Sequence, residues 1–147
     1  MKILILATGK SSTDFQASLL DYESRISHYT SLDWKIIPHG RNAKEEASAI
    51  LNAILEKDVV VLLDERGKEW SSVEFSQFIE KRLNESTPRL VFIIGGAYGV
   101  DETIKTRANY TWSLSKLVFP HELVRLILIE QIYRAYSILK GEKYHHQ

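Results

Sequence analysis

The chain has 147 residues, 19 basic and 19 acidic side chains, and no cysteine. That length suits one domain with a real core. The missing thiols exclude disulfides, thiolate metal sites and cysteine nucleophiles and fit a reducing compartment, while zero formal charge argues against holding naked nucleic acid by overall field, leaving only a local patch. The apolar start MKILIL is too short for a signal segment, and no run approaches the ~18 apolar residues of a membrane span. A cytoplasmic protein with no membrane partner is expected.

Taken in order, Lys2 to Ala7 reads as a buried strand bounded by Thr8-Gly9. The TGKSS that follows lacks a phosphate-binding loop's first glycine, since Leu4 stands five positions before Gly9. Phe15, Leu19, Tyr22, Ile26 and Tyr29 recur at helical spacing. Trp34 to Pro38 is a second strand. Asn42 with Glu45 forms a capping box for a helix whose inner face is Ala47, Ile50, Leu51, Ile54 and Leu55. Val59 to Leu63 is a continuous aliphatic run, the mark of a central parallel strand, and the DERGKEW after it reads as a solvated loop. Ser71 and Glu74 make a second capping box, opening a helix with Phe75, Phe78, Ile79 and Leu83 inside. Leu90 to Ile94 is another buried strand and runs into Gly95-Gly96-Ala97-Tyr98-Gly99. Asp101 to Ala108 is a short helix.

The last third begins as a strand in which Trp112, Leu114 and Leu117 alternate with Ser113 and Ser115. It turns at Pro120, which suits a first helical turn. From Leu123 to Tyr136 the helix is apolar over most of its circumference, so it must be buried nearly all round, as the core of the fold or as half of a dimer interface. Alternating strands and helices give an α/β class with a mostly parallel sheet and a single domain.

Three loops then follow predicted central strands: DERGKEW, GGAYG and SLSKLVFPH. In a parallel sheet they share the edge where ligands bind. A glycine pair after a strand is commonly a tight turn needing positive φ, and each loop alone says little. Together, lined by Leu63, Ile94, Leu117 and Phe119, they suit a nucleoside-like ligand held by backbone groups and apolar contact. The dinucleotide fingerprint is absent after the first strand, the five histidines have no metal-binding spacing, and no nucleophile elbow is present. No metal is expected.

The strings LLDERGK, FIIGGAYG, WSLSKLVFPHELVRLILIEQIYRAYSI and the terminal KYHH, in this order over the whole chain, resemble the SPOUT methyltransferases. More narrowly they resemble the ribosomal large-subunit RNA methyltransferase H family, which methylates N3 of a pseudouridine. The resemblance implies one α/β domain closed by a trefoil knot, with knot and cofactor loops within about residues 90–140. Periodicity cannot show a knot, because knots are nearly absent from proteins. It further implies a homodimer, S-adenosylmethionine as cofactor, and a pseudouridine of 23S rRNA, reached on the assembled ribosome, as substrate. By matching position, the cofactor binders are Leu63, Gly95 or Gly96, and Leu114, Ser115, Lys116, Leu117, Val118 and Phe119.

A sulfonium methyl is already activated, so no protein nucleophile is needed. The base must be aligned and lose its imide proton. Tyr144 and His145 are the candidates for orienting the base or taking that proton. Arg125 and Arg134 are candidates for phosphates, and His146 stands where the family usually has Arg or Lys. Tyr98 stands where acidic or small residues are common. The tail from Lys140 has few apolar residues to order it. Two other readings use the same features: a nucleotide-binding or ribosome-associated module without catalysis, and a scaffold dimer using only the apolar helix.

Overall fold

A computed structural model describes residues 1–10, 13–96 and 98–146. Ser11 and Ser12 of the TGKSS run, Ala97 of the glycine loop and Gln147 of the tail lie outside it. The chain runs β1 (Lys2–Thr8), α1 (Gln16–Ile26), β2 (Leu32–Ile37), α2 (Ala43–Asn52), β3 (Val59–Glu69), α3 (Ser72–Asn84), β4 (Arg89–Ile94), α4 (Glu102–Arg107), β5 (Tyr110–Ser113) and α5 (His121–Leu139). The five strands form one all-parallel sheet in the order β2-β1-β4-β3-β5.

Alternation along the strands divides the core in two. Ile3, Ile5, Val61, Leu63, Leu90, Phe92 and Ile94 face α1, α3 and α5. Leu4, Leu6, Val60, Leu62, Val91 and Ile93 face α2 and α4. Both faces are covered, which is why these three strands read as unbroken apolar runs. The capping box expected at Ser71 is complete, while at Asn42 only the cap itself forms, because the Glu45 carboxylate accepts from Arg41 instead. Asn42 Oδ1 accepts from Glu45 N–H at 2.9 Å. Ser71 Oγ accepts from Glu74 N–H at 3.0 Å while Glu74 Oε1 accepts from Ser71 N–H at 3.0 Å.

Several expectations need correction. DERGKEW is not a free loop: β3 continues to Glu69, and Leu63 and Lys68 both pair with Trp112 of β5, so Asp64–Gly67 bulges out between them. The bulge requires Gly67, because a Cβ there would lie 2.6 Å from the Thr111 carbonyl oxygen. Helix α2 stops at Asn52 and Leu55 is 61% exposed, while Leu83 of α3 is 39% exposed rather than inward. The long helix is buried mainly on one stripe, Arg125, Leu128, Ile129, Ile132, Ala135 and Tyr136, with Ser137 buried beside it near the end and Leu123, Leu126, Ile127 and Ile138 half-buried. A 19-residue helix offers about five turns. Its inner stripe fills this subunit's own core, and only its flank remains for anything else.

Ile132 is fully buried beneath α1 and α3, so Ile132→Ala should lower unfolding free energy by roughly 2–5 kcal/mol. Ser71→Ala should cost about 1 kcal/mol through the lost cap. Chemical denaturation measures both, and equal losses would contradict the assigned roles.

Candidate functional site

The parallel register puts Leu63, Ile94 and Trp112 at one level on adjacent strands. The segments leaving those residues meet around a cavity of about 310 Å³, a size at the small end of ligand pockets. Its wall contains Leu63, Asp64, Glu65 and Arg66 from the β3 bulge, Ile94 to Gly96 with Gly99 and Val100 after β4, and Leu114, Ser115, Leu117, Val118 and Phe119 after β5. His121 and Val124 from the start of α5 complete it. Eight of the nine expected cofactor residues are therefore brought together. Lys116 is not among them: its side chain is 88% exposed, with Nζ 3.9 Å from Glu69.

The loops are held from within. Ser113 Oγ donates to the Ser115 carbonyl at 2.8 Å, and Ser115 Oγ accepts from Leu117 N–H at 3.0 Å. The two hydroxyls of the SLSK run thus shape the loop itself. That leaves Leu117 and Val118 69% and 80% exposed. In the glycine loop the positive φ belongs to Gly99, at 80°, and not to Gly95 or Gly96. Gly96 is required for another reason: a Cβ there would lie 2.8 Å from Glu46 Oε1 and 2.9 Å from Thr8 Cγ2. Glu46 is 4% exposed and its Oε2 accepts from Gly40 N–H at 3.0 Å. A buried acidic side chain on α2 therefore backs the loop, and nothing in the sequence pattern singles it out from its neighbour Glu45.

Arg125, expected at a phosphate, is turned into the protein. It is 1% exposed, and Nη2 donates to the carbonyls of Thr8 at 3.2 Å and Gly9 at 2.8 Å, with Glu122 Oε1 3.5 Å from Nη1. Its guanidinium ties α5 to the end of β1. Buried charge of this kind is tolerated because carbonyls and a carboxylate share it.

The tail is docked, contrary to the expectation of an unsupported segment. The ring of Tyr144 meets Tyr133 edge-on with centroids 4.7 Å apart, and its hydroxyl donates to Glu130 Oε1 at 3.0 Å and lies 3.2 Å from Tyr22 Oη. Arg134 sits between: it pairs with Glu130, its guanidinium lies 4.8 Å from the Tyr144 ring centroid, and Nη1 is 3.0 Å from His145 Nδ1. A guanidinium can only donate, so Nδ1 accepts and Nε2 carries the imidazole proton. His146 is exposed. Tyr144 and His145 are thus together, but Arg134 is ten residues beyond cavity-lining Val124, about 15 Å along the helix.

The family model described as "Predicted SPOUT methyltransferase" matches residues 1–145. The chain belongs to the SPOUT methyltransferase family. Similar proteins called "Ribosomal RNA large subunit methyltransferase H" include those of Christiangramia forsetii and Parabacteroides distasonis, each 41% identical, and of Phocaeicola vulgatus, 43% identical. All three alignments cover the whole of both chains. S-adenosylmethionine is this family's methyl donor, and the cavity fits such a molecule: apolar walls for its rings, loop backbone for its hydrogen-bonding edges, and charge at one side only. Among the described residues no group of three His, Asp or Glu side chains is placed to hold a metal, and no helix is long and apolar enough to cross a membrane.

Burial, and then the hydrogen bond to Glu142, pushes the Tyr29 hydroxyl up to about 12 from 10.0. Burial, and then its contacts with Tyr22 and Glu130, raises that of Tyr144. A raised pKa means the folded chain holds the proton more tightly. This stabilisation is complete below about pH 10 and is lost as pH rises through about 12. Burial also raises the hydroxyl of Tyr136, so spectrophotometric titration should show three late-ionising tyrosines, and cutting after Gly141 should bring Tyr29 earlier. Unchanged titration after the cut would contradict the docked tail.

Proposed function

We propose that the protein transfers the methyl group of S-adenosylmethionine to N3 of a pseudouridine in 23S rRNA, on the assembled large ribosomal subunit, as a homodimer. The observation that carries the reading is the convergence of the three loops on one cavity in a full-length member of this family. Bound there, S-adenosylmethionine supplies an activated methyl group. The protein has to present the base in line with it, and the cofactor binders are Leu63, Gly95, Gly96, Leu114, Ser115, Leu117, Val118 and Phe119.

The tail performs the presentation. In the docked tail the phenol of Tyr144 keeps its proton and gives it to Glu130 in a hydrogen bond, and Nδ1 of His145 faces Arg134, so the donor left for a base is His145 Nε2–H. The role of His145 is to hold a carbonyl edge of the base and that of Tyr144 to offer its ring for stacking, rather than to accept the base's proton. Arg134 and exposed His146 meet the backbone phosphates. Because this cluster is about 15 Å along α5 from its own cavity, the tail serves the cavity of a second subunit. The half-buried flank of α5 with Leu123, Ile127 and Ile138, and the exposed Leu117 and Val118, supply the surface for that pairing. The cytoplasm, where ribosomes are, is the setting.

The decisive experiment is the rRNA of a strain lacking the gene, which should miss one methylated pseudouridine and regain it on complementation. An unchanged modification pattern would leave the non-catalytic binding module as the reading. Removing residues 144–147 should preserve cofactor binding and dimerisation while slowing methylation by about a hundredfold or more, the usual effect of lost alignment. Wild-type methylation by the truncated protein would overturn the role of the tail.

A further inference from the structure

Every Asp, Glu, Lys or Arg side chain on the cavity wall comes from one short segment, Asp64-Glu65-Arg66. This is the bulge forced out of the sheet where Leu63 and Lys68 compete for Trp112. Within it Arg66 folds back on Asp64. Its N–H donates to Oδ1 at 2.9 Å, Nε to Oδ1 at 3.1 Å and Nη2 to Oδ2 at 3.0 Å. The Asp64 side chain is 7% exposed and that of Arg66 is 68% exposed. The pair is thus a fixed dipole, with the carboxylate buried and the guanidinium exposed. Hydrogen bonding from Arg66 keeps the Asp64 carboxyl below its ordinary range, so the pair is ionised. Lys105 and Glu102 of α4 act on it only through space.

Neither partner is saturated. A guanidinium has about five N–H groups and a carboxylate about four lone-pair sites. Arg66 spends two side-chain N–H groups on Asp64, whose oxygens accept three hydrogen bonds in all. Both therefore have capacity left, and it lies on the wall of the cavity. S-adenosylmethionine carries the complementary set: an ammonium and a carboxylate on one carbon, plus a sulfonium. Its net charge is positive by one, and the two carboxylates and one guanidinium of the bulge are negative by one.

The geometry points to Asp64 and Arg66 as the subsite for the amino-acid end of S-adenosylmethionine, with Asp64 facing the ammonium and Arg66 the carboxylate. The inference rests on the cofactor reading of this cavity. It leaves the adenosine to the apolar and backbone walls of the other two loops. The ion pair need not break to take the ligand: two opposite charges on each side neutralise one another edge to edge, and no charge is stranded as the site closes.

Titration calorimetry with three ligands tests this on the full chain: S-adenosylmethionine, its decarboxylated analogue, and methylthioadenosine, which lacks the amino-acid end. Arg66→Met removes an exposed side chain and should weaken S-adenosylmethionine about tenfold while leaving the other two unchanged. Asp64→Asn should weaken the first two by about tenfold and spare methylthioadenosine. A uniform loss for all three ligands in Arg66→Met would mean that the pair only shapes the bulge. No loss for any would place the amino-acid end elsewhere. Either overturns the inference. Leu117→Arg, on the wall supplied by the loop after β5, should weaken all three. If it weakens none, the cofactor site itself lies outside this cavity, a failure distinguishable from that of the subsite.

Discussion

The site depends on one constraint, the level at which the regular pairing of four parallel strands is interrupted or ends. Ala7 pairs with Ile94, Ile94 with Leu63, and Leu63 with Trp112, so four adjacent strands share one rung. A parallel sheet buried on both faces fixes that rung firmly, because a slip of one residue would turn every apolar side chain to the wrong helix layer. The loops beyond the rung inherit the register. They converge because Val61, Phe92 and Ile5 are packed below them, not because they attract one another.

The loops are then stiffened by polar groups that never meet the cavity. Glu46 stands behind Gly96, Arg125 grips the carbonyls at the end of β1, and Gly67 lets the β3 bulge cross β5. Each is a place where the chain spends a charge or gives up a side chain to hold backbone in position. A buried charge would be costly by itself. Here each lies among amide or carbonyl groups that would otherwise face an apolar wall. The arrangement suits a cavity that binds through backbone, since backbone can recognise a ligand only if it does not move.

What could be read from the sequence follows the range of the interaction concerned. The β1, β3 and β4 runs and the caps at Asn42 and Ser71 are local patterns, and they stand where composition and spacing put them. The continuation of β3 through DERGKE was missed because it is dictated by pairing to Trp112, more than 40 positions away. Arg125 read as a phosphate contact because its carbonyl partners are 116 and 117 residues distant. The tail looked unsupported because the Tyr144 ring packs on α5 and its hydroxyl reaches across 122 residues to Tyr22. The apolar α5 suggested burial on all sides, whereas its packing is one inner stripe with half-covered flanks. The knot is a property of threading, and it came from family resemblance alone.

The two ends of α5 carry different chemistry, and the helix between them sets what a single subunit can do. Its first turns, at His121 and Val124, close the cavity. Its later turns hold Glu130 and Arg134, on which the tail rests. A rigid helix cannot shorten, and no side chain spans about 15 Å. A tail that is to touch a base beside the cavity must either leave its contacts with Tyr22, Tyr133 and Glu130 or meet a cavity other than its own. The first would give up several hydrogen bonds and an aromatic contact before any substrate is bound. The second keeps them, and lets the same docked conformation act as a donor surface for the base. On the proposed reading of a shared reaction, conservation of contacts makes each long helix a fixed strut between the cavity it closes and the tail it carries.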